Sequence, residues 1–378
     1  SFIAIYFYET FFRSNKFKPL MLVISGLFLG LAIGTKLYYA SIVFPFLLTF
    51  FISFLINRHK NSNLKAWLFE TIVPLGLGLL LGLLPVFNFY LMDPEVFVFN
   101  NWGIHPLTMQ WREIIGFPYN INMTLESKFT FGWNIITKPE NLIILFGFFL
   151  GILITNRIHN QVPNFVLRLI LAFTLFLTGL LTAVMPTPSF QQYYAMPVSF
   201  LFICFVYAWG GIDVYVYSFR FRQVLLIGLV LLTLIFNGAF FTSNIANMID
   251  TKNWSPIYVR DISLKIKDIL REKHPDKNPK IGTLSPLFAV ESGLAIYKEL
   301  STGPFLYRVG DLLSPEQRKR FVGTSPSTIN NLFKSDPPTA ILIGFEGDLD
   351  KPLLEYALAN KFQKIDLEGF SGELYVRP

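Results

Sequence analysis

Long apolar runs separated by short polar segments fill the first two-thirds of the chain. The longest run, residues 21–57, holds a single charged residue, Lys36, near its middle. A helix of about 20 apolar residues crosses the hydrocarbon core of a bilayer, and this run is nearly twice that long. It therefore predicts two membrane spans that turn around Gly34-Thr35-Lys36.

Small residues recur at every fourth position of the first of these spans, at Gly26, Gly30 and Gly34. Residues at this spacing lie on one face of a helix, and glycine lets a second helix approach that face closely. The pattern therefore predicts a closely packed neighbouring helix.

The same apolar runs predict a polytopic α-helical membrane protein with about seven full spans and one partial span. The predicted spans are residues 1–12 (partial), 20–34, 38–57, 67–92, 141–155, 166–186, 196–217 and 224–244. Residues 1–249 thus form a predicted transmembrane domain. Because the chain opens with half of a span and no basic leader, we expect that its N-terminus is truncated.

Basic residues between the spans predict an orientation. Four loops contain Lys or Arg and no Asp or Glu: residues 13–19, 58–65, 156–168 and 218–223. Such loops stay on the cytoplasmic side of a membrane. The chain is therefore predicted to be a multi-pass protein of the plasma (inner) membrane. Lys36, the 93–140 loop, the 186–195 loop and residues 250–378 are then on the outer side.

Composition agrees with this class, since 52% of the residues are hydrophobic and only 15% are charged. Soluble domains carry about 25% charged residues. The net charge of +7 lies mainly in the membrane half, where basic loops explain it, so nucleic acid is not a predicted partner. The single cysteine, Cys204, excludes an intrachain disulfide. The four histidines show no metal-ligand spacing, and no metal site is predicted.

Charged residues return after residue 250, where short apolar segments alternate with amphipathic ones. Helices are predicted at 257–273, 289–300, 324–334 and 350–362, and strands at 280–285, 339–345, 364–367 and 373–378. Residues 250–378 are therefore predicted to form a small extracytoplasmic α/β domain with a mainly parallel sheet. The domain has no glycine-rich phosphate-binding motif, so we interpret it as a lid or recognition module and not as an independent enzyme.

Lys36 and its neighbour Thr35 are the first candidate site residues. A lysine is costly at mid-membrane but is tolerated where its long side chain reaches the interface. Lys36 is therefore either a snorkelling residue at a tight turn or an anion-binding group that faces an outer cavity. The sequence leaves both interpretations open.

The 93–140 loop is longer than a simple connector, and its many aromatic residues argue against disorder. It is predicted to be either an interfacial helix with aromatic anchors or part of a sugar-binding cavity. In the second hypothesis, His105 and Arg112 bind hydroxyl and phosphate groups. Asn122-Met123-Thr124 matches a glycosylation sequon, which has meaning only if the outer side is an ER lumen.

A second polar cluster, PSFQQYYAMP at residues 188–197, precedes a late span. Gln191, Gln192, Tyr193 and Tyr194 are predicted either to bind a lipid headgroup or to form an aromatic belt. The sequence contains no paired-carboxylate motif, nucleophile elbow or HExxH motif, so no catalytic constellation is complete.

Two segments resemble those of known enzymes. GLFLGLAIGTKLYYA, residues 26–40, resembles the GLxLGLAxxTK segment of integral membrane glycosyltransferases of the C-type superfold. PSFQQYYAMPVSFLF, residues 188–202, resembles the (H/R)YYLLPLLP start of a late span in the same enzymes. The families concerned are dolichyl-phosphate-mannose protein mannosyltransferase-like (glycosyltransferase family 39) and aminoarabinose transferase-like. The many-span body with an outward α/β tail is similar to bacterial members.

The resemblance implies a transferase that passes a sugar from a polyprenyl-phosphate donor to a lipid, protein or glycan acceptor on the outer face. It implies that Lys36 binds the donor phosphate, and that Gln192, Tyr193 and Tyr194 line the cavity. Gln192 departs from the family, which often has His or Arg there. The acidic residue of the family lies on the first outer loop, which we expect to precede residue 1.

The loop chemistry adds Arg112 as a second phosphate-binding residue and His105 as a cavity residue, with Thr35 and Gln191 beside the others. The lipid-linked sugar is a substrate, no cofactor is implied, and a divalent metal requirement stays open. The bilayer is the remaining predicted partner.

Two other functions are compatible with the sequence. A transporter or flippase for a lipid-linked saccharide is typically built from inverted repeats and interrupted helices, and no convincing repeat is present. A non-catalytic membrane scaffold would use the C-terminal domain to bind a partner.

Overall fold

The computed structural model describes residues 2–13, 18–57, 63–116, 123–155, 165–210, 223–224, 227–232, 234–236, 242, 245, 248–251, 254–275 and 278–378. The chain folds as two compact units. The first, called the helical unit, comprises Ser1–Pro94 and Pro118–Ala239. The second, called the sheet unit, comprises Glu95–Phe117 and Phe240–Pro378.

The longer helices are numbered in chain order. They are α1 (Phe2–Arg13), α2 (Lys18–Thr35), α3 (Val43–Asn57), α4 (Leu64–Met92), α5 (Ile104–Ile114), α6 (Leu125–Ile136), α7 (Pro139–Thr155), α8 (Phe165–Val184), α9 (Ala195–Gly210), α10 (Ser255–Lys273), α11 (Pro286–Ser292), α12 (Ile329–Ser335) and α13 (Lys351–Ala359). A π-helical turn interrupts α4 at Leu68–Ile72. Turns of 3-10 helix, Leu37–Ile42 and Gln191–Tyr194, precede α3 and α9.

Among the described residues, five helical segments are long and apolar enough to cross a membrane, or six if one bent pair is counted as a span. The five match the predicted spans at 20–34, 38–57, 67–92, 166–186 and 196–217. Helices α6 and α7 form the bent pair, at 75°, so the predicted span at 141–155 is one arm of a broken span or re-entrant loop. Part of the predicted span at 224–244, most of the four basic loops and Asn122 lie outside the described residues.

Helices α2 and α4 pack with their backbones in contact. A Cβ atom added to Gly26 would lie 2.1 Å from the Leu75 carbonyl oxygen, and one added to Gly78 would lie 1.9 Å from the Val23 carbonyl oxygen. Gly30 and Gly82 face the partner backbone in the same way. The predicted close approach at the glycine face of α2 is therefore confirmed.

The contacts between these helices advance in the same direction along both chains. Gly26 lies against Leu75 and Leu79, and Gly34 lies against Val86. Helices α2 and α4 are therefore parallel. The segment between them, which contains α3, must then run in the opposite direction. This agrees with the predicted pair of spans that turn at Lys36.

Two polar contacts mark opposite ends of the helical unit. At the start of α8, Arg168 Nε lies 3.0 Å from Glu9 Oε2 of α1. At the end of α8, the hydroxyls of Ser41 and Thr182 are hydrogen-bonded at 2.7 Å. A rise of 1.5 Å per residue separates these positions by about 21 Å along α8. The second end, which contains Lys36, is called the Lys36 end below.

The sheet unit contains a five-stranded sheet in the order β2-β1-β3-β5-β4. Its strands are β1 (Lys280–Thr283), β2 (Ala295–Ile296), β3 (Ala340–Ile343), β4 (Gln363–Ile365) and β5 (Glu373–Val376). Strand β1 is parallel to β2 and β3, whereas β5 is antiparallel to β3 and β4. Four of the five strands therefore run in one direction and β5 runs opposite to them, so the sheet is mixed where a mainly parallel one was predicted.

The predicted helix at 289–300 is also divided. Helix α11 ends at Ser292, and Gly293 adopts a φ of +66°. This left-handed conformation is typical of the residue that follows a helix and favours glycine. The chain leaves the helix there and forms edge strand β2, which begins at Ala295.

Helices cover both faces of the sheet. Alternate residues of β3 enter different apolar clusters, with Ala340 and Leu342 on one face and Ile341 and Ile343 on the other. Helices α10 and α11 cover the first face, and α12 and α13 cover the second. The side-chain alternation of a strand therefore builds three layers.

The first part of the predicted 93–140 loop is helical and belongs to the sheet unit. Phe99 stacks on Phe321 with ring centroids 3.8 Å apart, and Glu95 forms an ion pair with Arg320 at 2.9 Å. Phe99 also enters a cluster with Leu306 and other apolar residues of the C-terminal segment. Residues 95–114 are therefore an integral part of the α/β fold.

We expect Gly26→Ala and Gly78→Ala each to lower the free energy of unfolding by about 1–3 kcal/mol or more, because overpacking forces the two backbones apart. Gly76→Ala is the matched control, since an added Cβ there meets no atom within 4 Å. Chemical denaturation in detergent micelles measures the difference. Equal stability of all three variants would contradict the packing.

We expect Phe99→Ala to destabilise the sheet unit by about 3 kcal/mol or more, the usual cost of deleting a buried phenylalanine ring. Amide hydrogen exchange of strand β3 measures this change. Trp102→Ala is the control on the same segment, because Trp102 is 54% exposed and its truncation leaves the core intact. Unchanged exchange in Phe99→Ala would show that residues 95–114 do not stabilise the unit.

Candidate functional site

The turn after α2 places Lys36 at the end of the helical unit. Thr35, the last residue of α2, donates its hydroxyl to the Ala32 carbonyl at 2.6 Å. Lys36 then adopts an extended conformation, with φ −155° and ψ 112°, before the next 3-10 turn begins. Thr35 and Lys36 are both exposed, as expected for residues at a membrane surface.

The Lys36 ammonium lies beside two tyrosine rings. Its Nζ atom is 5.7 Å from the ring centroid of Tyr38 and 5.4 Å from that of Tyr193. The rings themselves meet edge to face at 6.1 Å. Aromatic faces attract cations at these distances. Among the residues that the structure describes, no carboxylate lies within ion-pair distance of Lys36.

Tyr194 anchors the turn that carries Tyr193 to the interior of the helical unit. Gln191 and Gln192 are exposed, Tyr193 is half-buried, and Tyr194 is buried. The Tyr194 hydroxyl donates to the Lys128 carbonyl at 3.2 Å. Gly132 makes room for the Tyr194 ring, since a Cβ at position 132 would lie 2.8 Å from its hydroxyl.

Lys128 is a further cation at this end, which the sequence analysis missed. It is 6% exposed, and its Nζ donates to Thr187 Oγ1 at 2.5 Å and to the Met185 carbonyl at 3.4 Å. These bonds connect α6 to the segment that precedes the Gln191–Tyr194 turn. The sequence feature that could have identified Lys128 is the presence of a lysine among the apolar and aromatic residues of α6.

The structure thus brings Thr35, Lys36 and Tyr193 together at one end of the helical unit, with Gln191, Gln192 and Tyr194 on the same turn as Tyr193. His105 and Arg112 lie on α5, in the sheet unit. His105 is exposed and Arg112 is buried. The functional roles assigned to all these residues stay predictions. Within the described part of the chain, no three His, Cys, Asp or Glu side chains form a metal-binding group.

Comparison with known proteins assigns no family to the chain. No protein-family model, curated protein or solved structure matches it. The features that bear on function are therefore the geometry of the Lys36 end and the resemblance in residues 26–40 and 188–202.

We expect Lys36→Met and Tyr193→Leu to be energetically coupled by about 0.5–1 kcal/mol, the range of an exposed cation–π contact. A double-mutant cycle on the unfolding free energy in detergent measures this coupling. Lys36→Met paired with a substitution at exposed Phe44 on α3 is the control. Strictly additive effects of the Lys36 and Tyr193 changes would contradict the contact.

Proposed function

We propose that the protein is a membrane glycosyltransferase that uses a polyprenyl-phosphate sugar as its donor. The observation that carries the proposal is the Lys36 ammonium, held beside Tyr38 and Tyr193 without a carboxylate partner in the described residues. The exposed amides of Gln191 and Gln192 lie on the adjoining turn. A cation, aromatic faces and amides suit a sugar attached to phosphate.

In the proposed reaction, the acceptor hydroxyl attacks the anomeric carbon and loses its proton to a general base. The bond between the anomeric carbon and the donor phosphate oxygen breaks, and negative charge develops on the leaving phosphate. The Lys36 ammonium stabilises that charge, because a preorganised cation interacts more strongly with the transition state than with the ground state. The proposal assigns the base to no described residue.

We also propose the complete membrane topology. It has about seven full spans and one partial span, and the Lys36 end lies on the outer face of the plasma (inner) membrane. The alternation of basic loops supports it. The Glu9–Arg168 ion pair also supports it, because it joins residues next to two of the basic loops at the opposite end of α8. In this topology the sheet unit is extracytoplasmic, and we propose that His105 and Arg112 bind sugar hydroxyl or phosphate groups on that side of the membrane.

A second candidate function is a transporter or flippase for a lipid-linked saccharide. The 75° bend between α6 and α7 favours it, because interrupted helices are typical of transporter sites. The two candidates differ in product: a transferase consumes the lipid-linked donor, whereas a flippase moves the intact donor across the membrane.

The test uses the full-length protein in vesicles that contain a radiolabelled polyprenyl-phosphate sugar and its acceptor fraction. We expect Lys36→Met to reduce kcat/KM by about 10²–10³, the usual effect of removing one group that stabilises a developing oxyanion. Lys36→Arg should retain part of the activity because it keeps the charge. Lys65→Met is the control, because Lys65 is an exposed lysine at the start of α4, at the opposite end.

Each outcome decides between the hypotheses. Transfer that depends on Lys36 and not on Lys65 supports the transferase. Movement of the intact donor to the opposite leaflet, with no transfer, identifies a flippase. Transfer that is unchanged in Lys36→Met shows that this lysine does not bind the donor phosphate.

A further inference from the structure

The sheet unit has an edge of the kind that binds ligands in α/β folds. Strands β1 and β3 are parallel neighbours, and the chain leads from β1 to β2 on one side and from β3 towards β4 on the other. In open α/β sheets, ligands bind outside the carboxyl ends of the strands, where the connections diverge. Strand β2 is parallel to β1, so its carboxyl end lies at the same edge, and the segments that follow β2 and β3 are therefore the place to look for a site.

The segment after β3 is fixed by Asp350. Its Oδ2 atom accepts hydrogen bonds from the backbone amides of Gly344, Phe345 and Glu346 at 2.9, 3.1 and 2.9 Å. The Asp350 carboxylate thus accepts from the three backbone N–H groups that could otherwise bind a phosphate. The same bonds hold the backbone of Glu346 in a single position.

Arg308 is also held in place. Its guanidinium lies near two aromatic rings, with the Cζ atom 5.4 Å from the Trp111 ring centroid and 5.0 Å from the Phe305 ring centroid. Its Nε donates to the Pro304 carbonyl at 3.0 Å. The terminal nitrogens have no hydrogen-bond partner among the described residues. A rigid donor edge is therefore available beside Phe305, whose ring is 65% exposed.

Arg308 lies in the segment that follows β2 and Glu346 in the segment that follows β3, and the two do not form an ion pair. Burial raises the pKa of the Glu346 carboxyl, and the Arg308 charge opposes that rise. Burial lowers the pKa of Arg308, and the Glu346 charge opposes that fall. In the described structure their charged atoms do not come within 4.0 Å, the limit of an ion pair. The half-buried Arg308 guanidinium, a hydrogen-bond donor, and the half-buried Glu346 carboxylate, an acceptor, thus remain unpaired with each other.

We propose that Phe305, Arg308 and Glu346 form a saccharide-binding site on the sheet unit. A hydroxyl group both accepts and donates hydrogen bonds, so neighbouring hydroxyls of one sugar can accept from Arg308 and donate to Glu346. The exposed Phe305 ring packs on the apolar face of the pyranose. A simple anion would be repelled by Glu346, and a simple cation by Arg308.

This site goes beyond the proposed function. It involves the sheet unit alone, and it binds sugar whether or not the helical unit transfers one.

The test measures binding to the full chain in lipid nanodiscs prepared without sugar-headed detergents. Saturation-transfer NMR is recorded with the methyl glycosides of mannose, glucose, galactose and N-acetylglucosamine, and with inorganic phosphate. We expect at least one glycoside to bind and phosphate not to bind. Phe305→Ala and Glu346→Gln should each weaken the glycoside affinity by about tenfold or more, equivalent to about 1.4 kcal/mol.

Matched controls separate the site from the fold. Leu358→Ala removes another exposed apolar side chain, 59% exposed. Glu355→Gln neutralises an exposed carboxylate outside the site, on the same helix as Leu358, α13. Both should bind like the wild type. Arg308→Lys should fail to bind, because lysine keeps the charge but lacks the planar donor edge. Binding of none of the glycosides, binding of phosphate instead, or equal losses in the controls would overturn the proposal.

Discussion

The contact between the backbones of α2 and α4 is the constraint on which the helical unit depends. Apolar helices in a bilayer gain nothing from hydrophobic transfer to each other, so they associate through close packing. Gly26, Gly30, Gly78 and Gly82 provide that packing, since a Cβ on any of them would overlap the partner backbone. At Gly34 the nearest partner atom is a side-chain carbon of Val86, 3.2 Å from an added Cβ. The helices are therefore in backbone contact at Gly26 and Gly30 but not at Gly34, two residues before Lys36.

This packing determines the position of the candidate site. Helix α2 ends at Thr35, so fixing α2 against α4 also fixes the position of Lys36 relative to α4. From the other side, Tyr194 and Lys128 hold the turn that presents Tyr193. Each of these buried polar groups has a hydrogen-bond partner, as is required where water is excluded. Lys36 differs from them because aromatic faces are its neighbours, and an incoming anion can therefore supply its counter-charge.

The sequence predicted what depends on local pattern. Apolar length predicted five of the observed spans, and glycine spacing predicted the close helix pair. The bend between α6 and α7 was missed because both helices are apolar, and hydropathy does not indicate the angle between consecutive helices. The assignment of residues 95–114 to the sheet unit was missed because the Phe99–Phe321 stack joins positions distant in the chain. The meeting of Lys36 with Tyr193 likewise has no local signal: the basic-loop pattern only placed their two segments on one side of the membrane, and the resemblance placed them at one cavity.

Cross-linking shows whether the Lys36 turn and the Gln191–Tyr194 turn form one site. In a Cys204→Ser background, which removes the only native thiol, Lys36→Cys and Tyr193→Cys are combined and treated with a flexible bismaleimide in native membranes. Lys65→Cys combined with Tyr193→Cys is the control pair. The account predicts an intramolecular cross-link for the first pair and none for the second. A cross-link for the control pair alone, or equal yields for both, would contradict it.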